Sequence, residues 1–287
     1  MFQFRKIFRT SNRRVFQENT GTAPSIVAHI FIQLLNHHVT IKQILITLHF
    51  LKQYTQQVNA CSLFGVRIDV YNECIRDVMF KIVTIIGPLE FGWEKRLNQV
   101  PPTTPLFQNC WTVIDATECN IERPQDYRVQ ELYYSGKKKR HTMKYHVVCN
   151  ITNGRIIDVH GPFFGRNHDI AIARSWIEDN QIQRGEGEII LGDSAYVGLG
   201  NCLTPIKSRR FNPLDQADMD FNNVIGSARI VVEQSINRIK KYKCFTERWR
   251  NDRSLHPLAF YTASIISAIE IRTSFPIANT LNNILYL

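Results

Sequence analysis

The sequence predicts an α/β protein, a mixed sheet with flanking helices, preceded by a small all-α domain of helix-turn-helix-like outline. Three observations predict it. Apolar residues recur at helical spacing up to about residue 86, a three-proline stretch at 99–105 breaks the periodicity, and beyond it short apolar runs alternate with helical patterns.

In the amino-terminal part, Ile26, Ile30 and Leu34, then Ile41, Ile44, Leu45, Leu48 and Leu51, trace helical stripes over 25–53. A short helix at 56–63, a turn at Phe64-Gly65-Val66 and a longer helix at 68–86 follow. In that outline Cys61 is small enough for a tight crossing, and Gly65 supplies a left-handed turn position. Arg67, Asn72 and Arg76 then lie along one side of the second helix as candidate DNA contacts; an ordinary helical hairpin fits the same pattern. The expected division is a helical domain at 1–98, a linker at 99–105, an α/β domain at 106–275 and a tail at 276–287.

After the linker, 110–115 reads as a buried strand, and 144–150 and 156–160 as two strands joined through the tight turn Thr152-Asn153-Gly154. A helix at about 170–178, a strand at 188–191, an irregular stretch at 200–224, a long helix at 227–243 and a helix at 256–271 complete the pattern.

The charge balance is basic, 35 Lys+Arg against 25 Asp+Glu, so a polyanion, nucleic acid before a membrane surface, is the natural partner. Seven scattered cysteines without a C-x-x-C pair read as reduced thiols of an intracellular protein, not as a disulfide framework or a zinc site. The basic amino terminus lacks the apolar stretch of a signal peptide, and no run reaches the roughly 20 apolar residues that span a bilayer. No membrane association is expected.

Three acids carry the chemistry. Asp115 and Asp193 each close an apolar run, where a carboxylate projects from a sheet edge. Glu233 lies in a helix whose apolar stripe is Ile225, Val232, Ile236 and Ile239, in an adjacent polar row with Arg229, Asn237 and Lys240. Three such carboxylates can hold a pair of hard divalent cations for phosphodiester chemistry if the fold brings them together. Read locally, the aspartates cap turns and Glu233 pairs with Arg229.

Three further clusters bear on nucleic acid. Lys137, Lys138, Lys139, Arg140 and Lys144, with Tyr133 and Tyr134, combine phosphate-neutralising cations with stacking surfaces. Arg229, Lys240 and Lys241 belong to a second cation-rich stretch that continues through Tyr242, Phe245 and Trp249. In Gly165-Arg166-Asn167-His168-Asp169, Asp169 reads as a helix N-cap, with a place as a fourth acid as the alternative. No phosphate-cradling glycine loop and no recognisable Ser-His-Asp or Cys-His motif is present.

At these residues the sequence resembles a known family. Asp115-Ala-Thr-Glu118, Ile121-Glu-Arg-Pro124, the block YYSGKKKRHTMKYHVV at 133–148, the block at 161–169, Leu191-Gly-Asp-Ser-Ala-Tyr196, Leu203-Thr-Pro205 and Arg229-Ile-Val-Val-Glu233 with Lys240 follow the order of PIF/Harbinger-type DDE transposases and transposase-derived nucleases. Bacterial insertion-sequence transposases share this grammar. The resemblance covers roughly 110–271 and implies a ribonuclease-H-like fold whose triad, here Asp115, Asp193 and Glu233, binds two Mg²⁺ or Mn²⁺ ions for in-line displacement on DNA. It also implies a separate DNA-binding partner protein, a homo-oligomer, and a nuclear location in a eukaryote or a cytoplasmic one in a bacterium. Ala116 and Glu118 depart from the Gly and His that many members carry there. The expected function is a metal-dependent endonuclease of transposase origin. A catalytically silent DNA-binding protein and a nuclease acting on RNA or branched DNA are the alternatives.

Overall fold

The computed structural model describes residues 12–97, 102, 104–179, 182–208 and 213–274. The expected tail at 276–287 and most of the expected linker lie outside them. The described residues form two compact units, one drawn from 1–90, 120–122 and 238–287, the other from 91–119 and 123–237.

In the helical unit, α1 (Arg13–Thr20) is capped by Asn12, whose side chain accepts from the Arg14 and Val15 amides, and stops at Gly21. Gly21 has φ +76°, and a Cβ there would stand 2.5 Å from Tyr242 Cε1. α2 (Pro24–Gln33) opens on proline, whose missing N–H would have had no helical partner in any case. The predicted stripe over 25–53 is two helices: a 3₁₀ turn at Leu35–His37 and left-handed His38 separate α2 from α3 (Ile41–Gln53), which starts in a Thr40–Gln43 capping box. α4 (Gln57–Phe64) ends at Gly65, φ +60°, and α5 (Ile68–Lys81) follows, continuing as a π-helical turn over Ile82–Ile86.

The second unit contains β1 (Cys110–Asn120), α6 (Tyr127–Tyr133), β2 (Tyr134–Ser135), β3 (Arg140–Asn150), β4 (Ile156–Phe164), α7 (Asp169–Asp179), β5 (Ile189–Leu191), β6 (Cys202–Leu203) and α8 (Gln216–Lys240). Its sheet runs β2-β3-β1-β5-β6, with β4 also on β3. β3 pairs antiparallel with β2 and β4, whereas β1, β5 and β6 are parallel, so the sheet is mixed. The turn between β3 and β4 falls where predicted. Asn150 Oδ1 accepts from the Thr152 amide and hydroxyl, and Gly154, φ +71°, closes the turn. α8 packs on this turn through Ser235, whose hydroxyl donates to the Gly154 carbonyl at 2.6 Å. Its predicted stripe, Ile225, Val232, Ile236 and Ile239, is buried.

Ile114 of β1, Val148 of β3, Ile157 of β4, Ile190 of β5, Tyr196, and Ala173 and Trp176 of α7 form the core of this unit. The Trp176 indole N–H donates to Asp158 at 2.6 Å, so this large core side chain is hydrogen-bonded as well as packed. Arg96 and Glu188 form a buried ion pair at 2.6 Å.

The chain after 238 returns to the helical unit as α9 (Lys243–Thr246) and α10 (Leu255–Ser274). This differs from the expected α/β domain at 106–275. The reason lies in α10, which is buried almost all round: the Thr262 hydroxyl is 3.5 Å from the Met79 carbonyl of α5, and Arg272 pairs with buried Glu90 at 2.9 Å. Ile121 and Trp249 form a parallel bridge, and Trp249 stacks on Tyr54 at 5.5 Å, which draws 120–122 into the same unit. Among the described residues no helix is long and apolar enough to cross a membrane.

Candidate active site

The parallel pairing of β1 and β5 places the two aspartates. Thr112 faces Ile190 and Val113 faces Leu191, and the same register carried two residues on would set Asp115 level with Asp193, two residues past the end of β5. Asp115 itself is mid-strand, not the strand end expected of it, because β1 runs on to Asn120. Adjacent strands lie about 4.8 Å apart. Both strands are apolar because both sheet faces are covered there, and each acid marks where the buried run ends. Asp115 Oδ1 accepts the Ala116 N–H at 2.8 Å. Asp193 Oδ1 accepts the Ala195 N–H at 2.7 Å and caps the 3₁₀ turn Ser194–Tyr196.

Burial and then the charge of Asp193 push the Asp115 carboxyl up to about 6, with Asp169 adding to the rise and the Ala116 N–H and Arg229 opposing it. A like charge that close is the electrostatic mark of two carboxylates sharing one site. Tyr196 belongs to the same cluster and was missed as a site residue. Its ring is fully buried, its hydroxyl has no hydrogen-bond partner among the described residues, and burial followed by Asp115, Asp169 and Asp193 raises it well above its ordinary value. The one sequence signal was its place three residues after Asp193.

Glu233 stands apart from the pair. It projects from α8 with its side chain 56% exposed, and its carboxylate is 4.0 Å from Arg229. Arg229 connects the two sides: its side chain is 16% exposed, its Nε has no hydrogen-bond partner among the described residues, and its charge is felt by Asp115. Among the described residues, no three His, Cys, Asp or Glu side chains stand at metal-ligating spacing.

Asp169 does not cap α7 through its side chain. The His168 carbonyl accepts the Ala171 and Ile172 amides, and the Asp169 carboxylate receives Lys144 at 3.0 Å. Lys144 is correspondingly unlike the surface cation expected of it. It is buried on β3, donates to the Asn167 carbonyl at 2.7 Å and lies 3.6 Å from Glu118, whose other oxygen accepts the Thr142 hydroxyl at 2.7 Å. A covered strand forces its lysine to find partners inside, and Glu118 and Asp169 supply them. Gly165 lets this loop lie against the end of α6 and β3, because a Cβ there would collide with the Tyr133 carbonyl oxygen and the Thr142 hydroxyl.

Lys137, Lys138, Lys139 and Arg140 form the turn from β2 into β3 and are all exposed. Lys241 instead pairs with Glu270 at 2.6 Å in the helical unit, where Lys240 also lies. In that unit Arg67 pairs with Asp69 at 2.6 Å, and the Asn72 side chain accepts from Gln57 at 3.0 Å, so both have intramolecular partners; Arg76 is exposed.

A probable transposase for insertion sequence element IS702 from Microchaete diplosiphon is 27% identical over 207 residues, covering 69% of this chain and 70% of that protein. A solved piggyBac transposase synaptic complex with hairpin DNA aligns with a TM-score of 0.47 and 10% identity, over 95% of this chain and 75% of that one. The DDE superfamily endonuclease family matches residues 114–268, more than half of the chain, a span that holds Asp115, Asp169, Asp193 and Glu233. On that match, the chain belongs to the DDE superfamily endonucleases.

Proposed function

We propose that this protein is a divalent-metal-dependent DNA endonuclease of transposase origin and PIF/Harbinger type, cleaving phosphodiester bonds with strand transfer open to the same chemistry. The observation that carries the reading is the Asp115–Asp193 pair, set by the β1–β5 register, with the Asp115 carboxyl raised to about 6. A carboxyl whose proton affinity is raised by burial and by a neighbouring carboxylate suits a divalent cation, whose charge relieves the repulsion. The pair fits one Mg²⁺ or Mn²⁺ ion on Asp115 and Asp193, and a triad for two ions would require the exposed Glu233 side chain to leave Arg229 and turn toward the pair. Bound there, the ions supply activation of water or a 3′-hydroxyl and charge stabilisation at the leaving oxygen.

The chain's own groups do the rest. Arg229 places a half-buried positive charge beside Asp115, suited to charge building on a phosphate. Lys144 holds Asp169 and fixes the loop into α7. The exposed turn at Lys137–Lys139 and Arg140 attracts the DNA backbone, as the net charge of +10 does at longer range. We read the mixed sheet as ribonuclease-H-like and α4-Gly65-α5 as helix-turn-helix-like. A separate DNA-binding partner protein and a homo-oligomer belong to the same reading, as does a nuclear location in a eukaryote or a cytoplasmic one in a bacterium. Seven free thiols support an intracellular setting.

The exposure of Glu233 and its contact with Arg229 favour a second reading, a DNA-binding protein that keeps the fold without the cutting. Cleavage of duplex DNA carrying candidate terminal repeats, with Mg²⁺ or Mn²⁺, decides between them. Activity lost in Asp193→Ala supports the nuclease, whereas cleavage that persists in that variant sinks the mechanism. Salt-sensitive binding without cleavage selects the second reading.

A further inference from the structure

A cavity of about 450 Å³ opens between the turn after β2 and the loop into α7, with Asp169 in its lining and Ala195, two residues from Asp193, at its edge. Ala195 closes it on one side, and the Ala195 N–H is the group that Asp193 accepts. Its floor is Lys144, already bound to the Asn167 carbonyl and Asp169. Its rim carries exposed Tyr134, Lys137 and Arg166. At Gly136 an added Cβ would meet nothing within 4 Å, so the backbone there faces open space. Arg166 is only loosely engaged, 3.8 Å from Glu131, and the Asn167 side-chain amide makes no hydrogen bond among the described residues.

These are complementary pieces. Lys137 and Arg166 offer charge to a phosphate, and Tyr134 offers a ring face to a planar group. The Asn167 amide offers one donor group and one acceptor to a base edge. The volume suits a single small ligand, not a duplex. An apolar ligand is disfavoured by the cationic rim. A free anion would leave the tyrosine and the amide unused.

The geometry points to a subsite for one unstacked nucleotide of the DNA strand being cut, with its phosphate on Lys137 and Arg166 and its base between Tyr134 and Asn167. This rests on the nuclease reading and adds to it where the strand leaves its helical stack. Unstacking at this cavity would expose the neighbouring phosphodiester to attack.

Binding of single-stranded oligonucleotides by the full chain tests the subsite without cleavage. The probes are a thymidine 12-mer, a fully abasic 12-mer of the same length, and a thymidine 12-mer carrying a central 5-iododeoxyuridine. The wild type should bind the thymidine strand about tenfold more tightly than the abasic one, from stacking of a base. Tyr134→Ala and Asn167→Ala should each remove most of that preference while leaving the melting temperature unchanged. Lys137→Ala should weaken both strands equally. Photocrosslinking should place the iodinated base on Tyr134 or on 165–170. A preference that survives both variants, or adducts confined to other segments, overturns the subsite while leaving the nuclease reading intact. Absence of any DNA binding overturns both.

Discussion

Asp193, just past the end of β5, acts on Asp115 of the neighbouring parallel strand β1, where its charge helps to hold the Asp115 carboxyl up at about 6 instead of 3.8. The site therefore carries a built-in electrostatic conflict.

The first concerns pH. Between the ordinary value of 3.8 and the folded value of about 6, the native state holds more protons on Asp115 than the unfolded chain does. Stability from this group is fully present below the lower value and falls as pH rises through the upper one, by about 3 kcal/mol in all. Asp115→Asn should flatten that part of the profile, and Asp193→Asn should stabilise the protein by roughly 1 kcal/mol near neutral pH. Urea unfolding at about pH 4, 6 and 8 reads both effects. An unchanged slope in Asp115→Asn would contradict the assignment.

A bound divalent ion should reverse the same loss. At a Mn²⁺ concentration about 100 times its dissociation constant, the native state gains about 2.7 kcal/mol, visible as a rise in melting temperature. The gain should be larger near pH 8 than near pH 5, because protons and metal compete for the same oxygens. Asp115→Asn and Asp193→Asn should abolish it, and Glu233→Gln should reduce it. An equal thermal shift in all four proteins would place the ion elsewhere.

Lys144 yields a prediction opposite to the one its sequence context invites. Lys144→Met would strand Glu118 and Asp169 in a largely dry site and should destabilise the fold by about 3–5 kcal/mol. Combining it with Glu118→Gln and Asp169→Asn should recover much of that loss, since the uncompensated charges go with it. Chemical denaturation of the single and triple variants measures the recovery. If Lys144→Met unfolds at the wild-type denaturant concentration, the buried network is not holding the loop.

How much of this was legible beforehand depended on where the determining contacts lie. The strands leading to Asp115 and Asp193 could be read because parallel strands buried on both faces appear as continuous apolar runs, but β1 continues past Asp115 to Asn120 as an alternating stretch that carries no such run. The Gly154 turn and the α8 stripe were legible for similarly local reasons. α6 escaped, being seven residues long with no buried side chain to mark a face. Lys144 and Asp169 were misjudged because each finds its partner 25 residues away, and a run of lysines looks the same whether its last member faces water or the interior. α10 was placed in the α/β domain, whereas its contacts group it with the helical unit: a helix apolar all round announces burial without saying against what. Family resemblance named the triad, but the spacing of Glu233 from the aspartates is a property of the folded chain.

The final prediction separates exposed from engaged cations. Lys137, Lys138, Lys139 and Arg140 lie exposed on the turn into β3, whereas Lys241 is bonded to Glu270 through both carboxylate oxygens at 2.7 and 2.6 Å. Affinity for duplex DNA falls with salt by about 0.9 in log–log slope for each phosphate neutralised. Replacing all four turn residues by alanine should therefore lower the slope by up to about 3–4 and weaken binding most at low salt. Lys241→Ala should leave the slope unchanged while destabilising the helical unit, because among the described residues the Glu270 carboxylate then keeps only the Thr22 hydroxyl at 2.6 Å as a partner. Fluorescence anisotropy across a salt series reads the slopes, and denaturant titration reads the stability. A Lys241→Ala protein of full stability whose slope drops by about 1 would move the DNA path onto the helical unit.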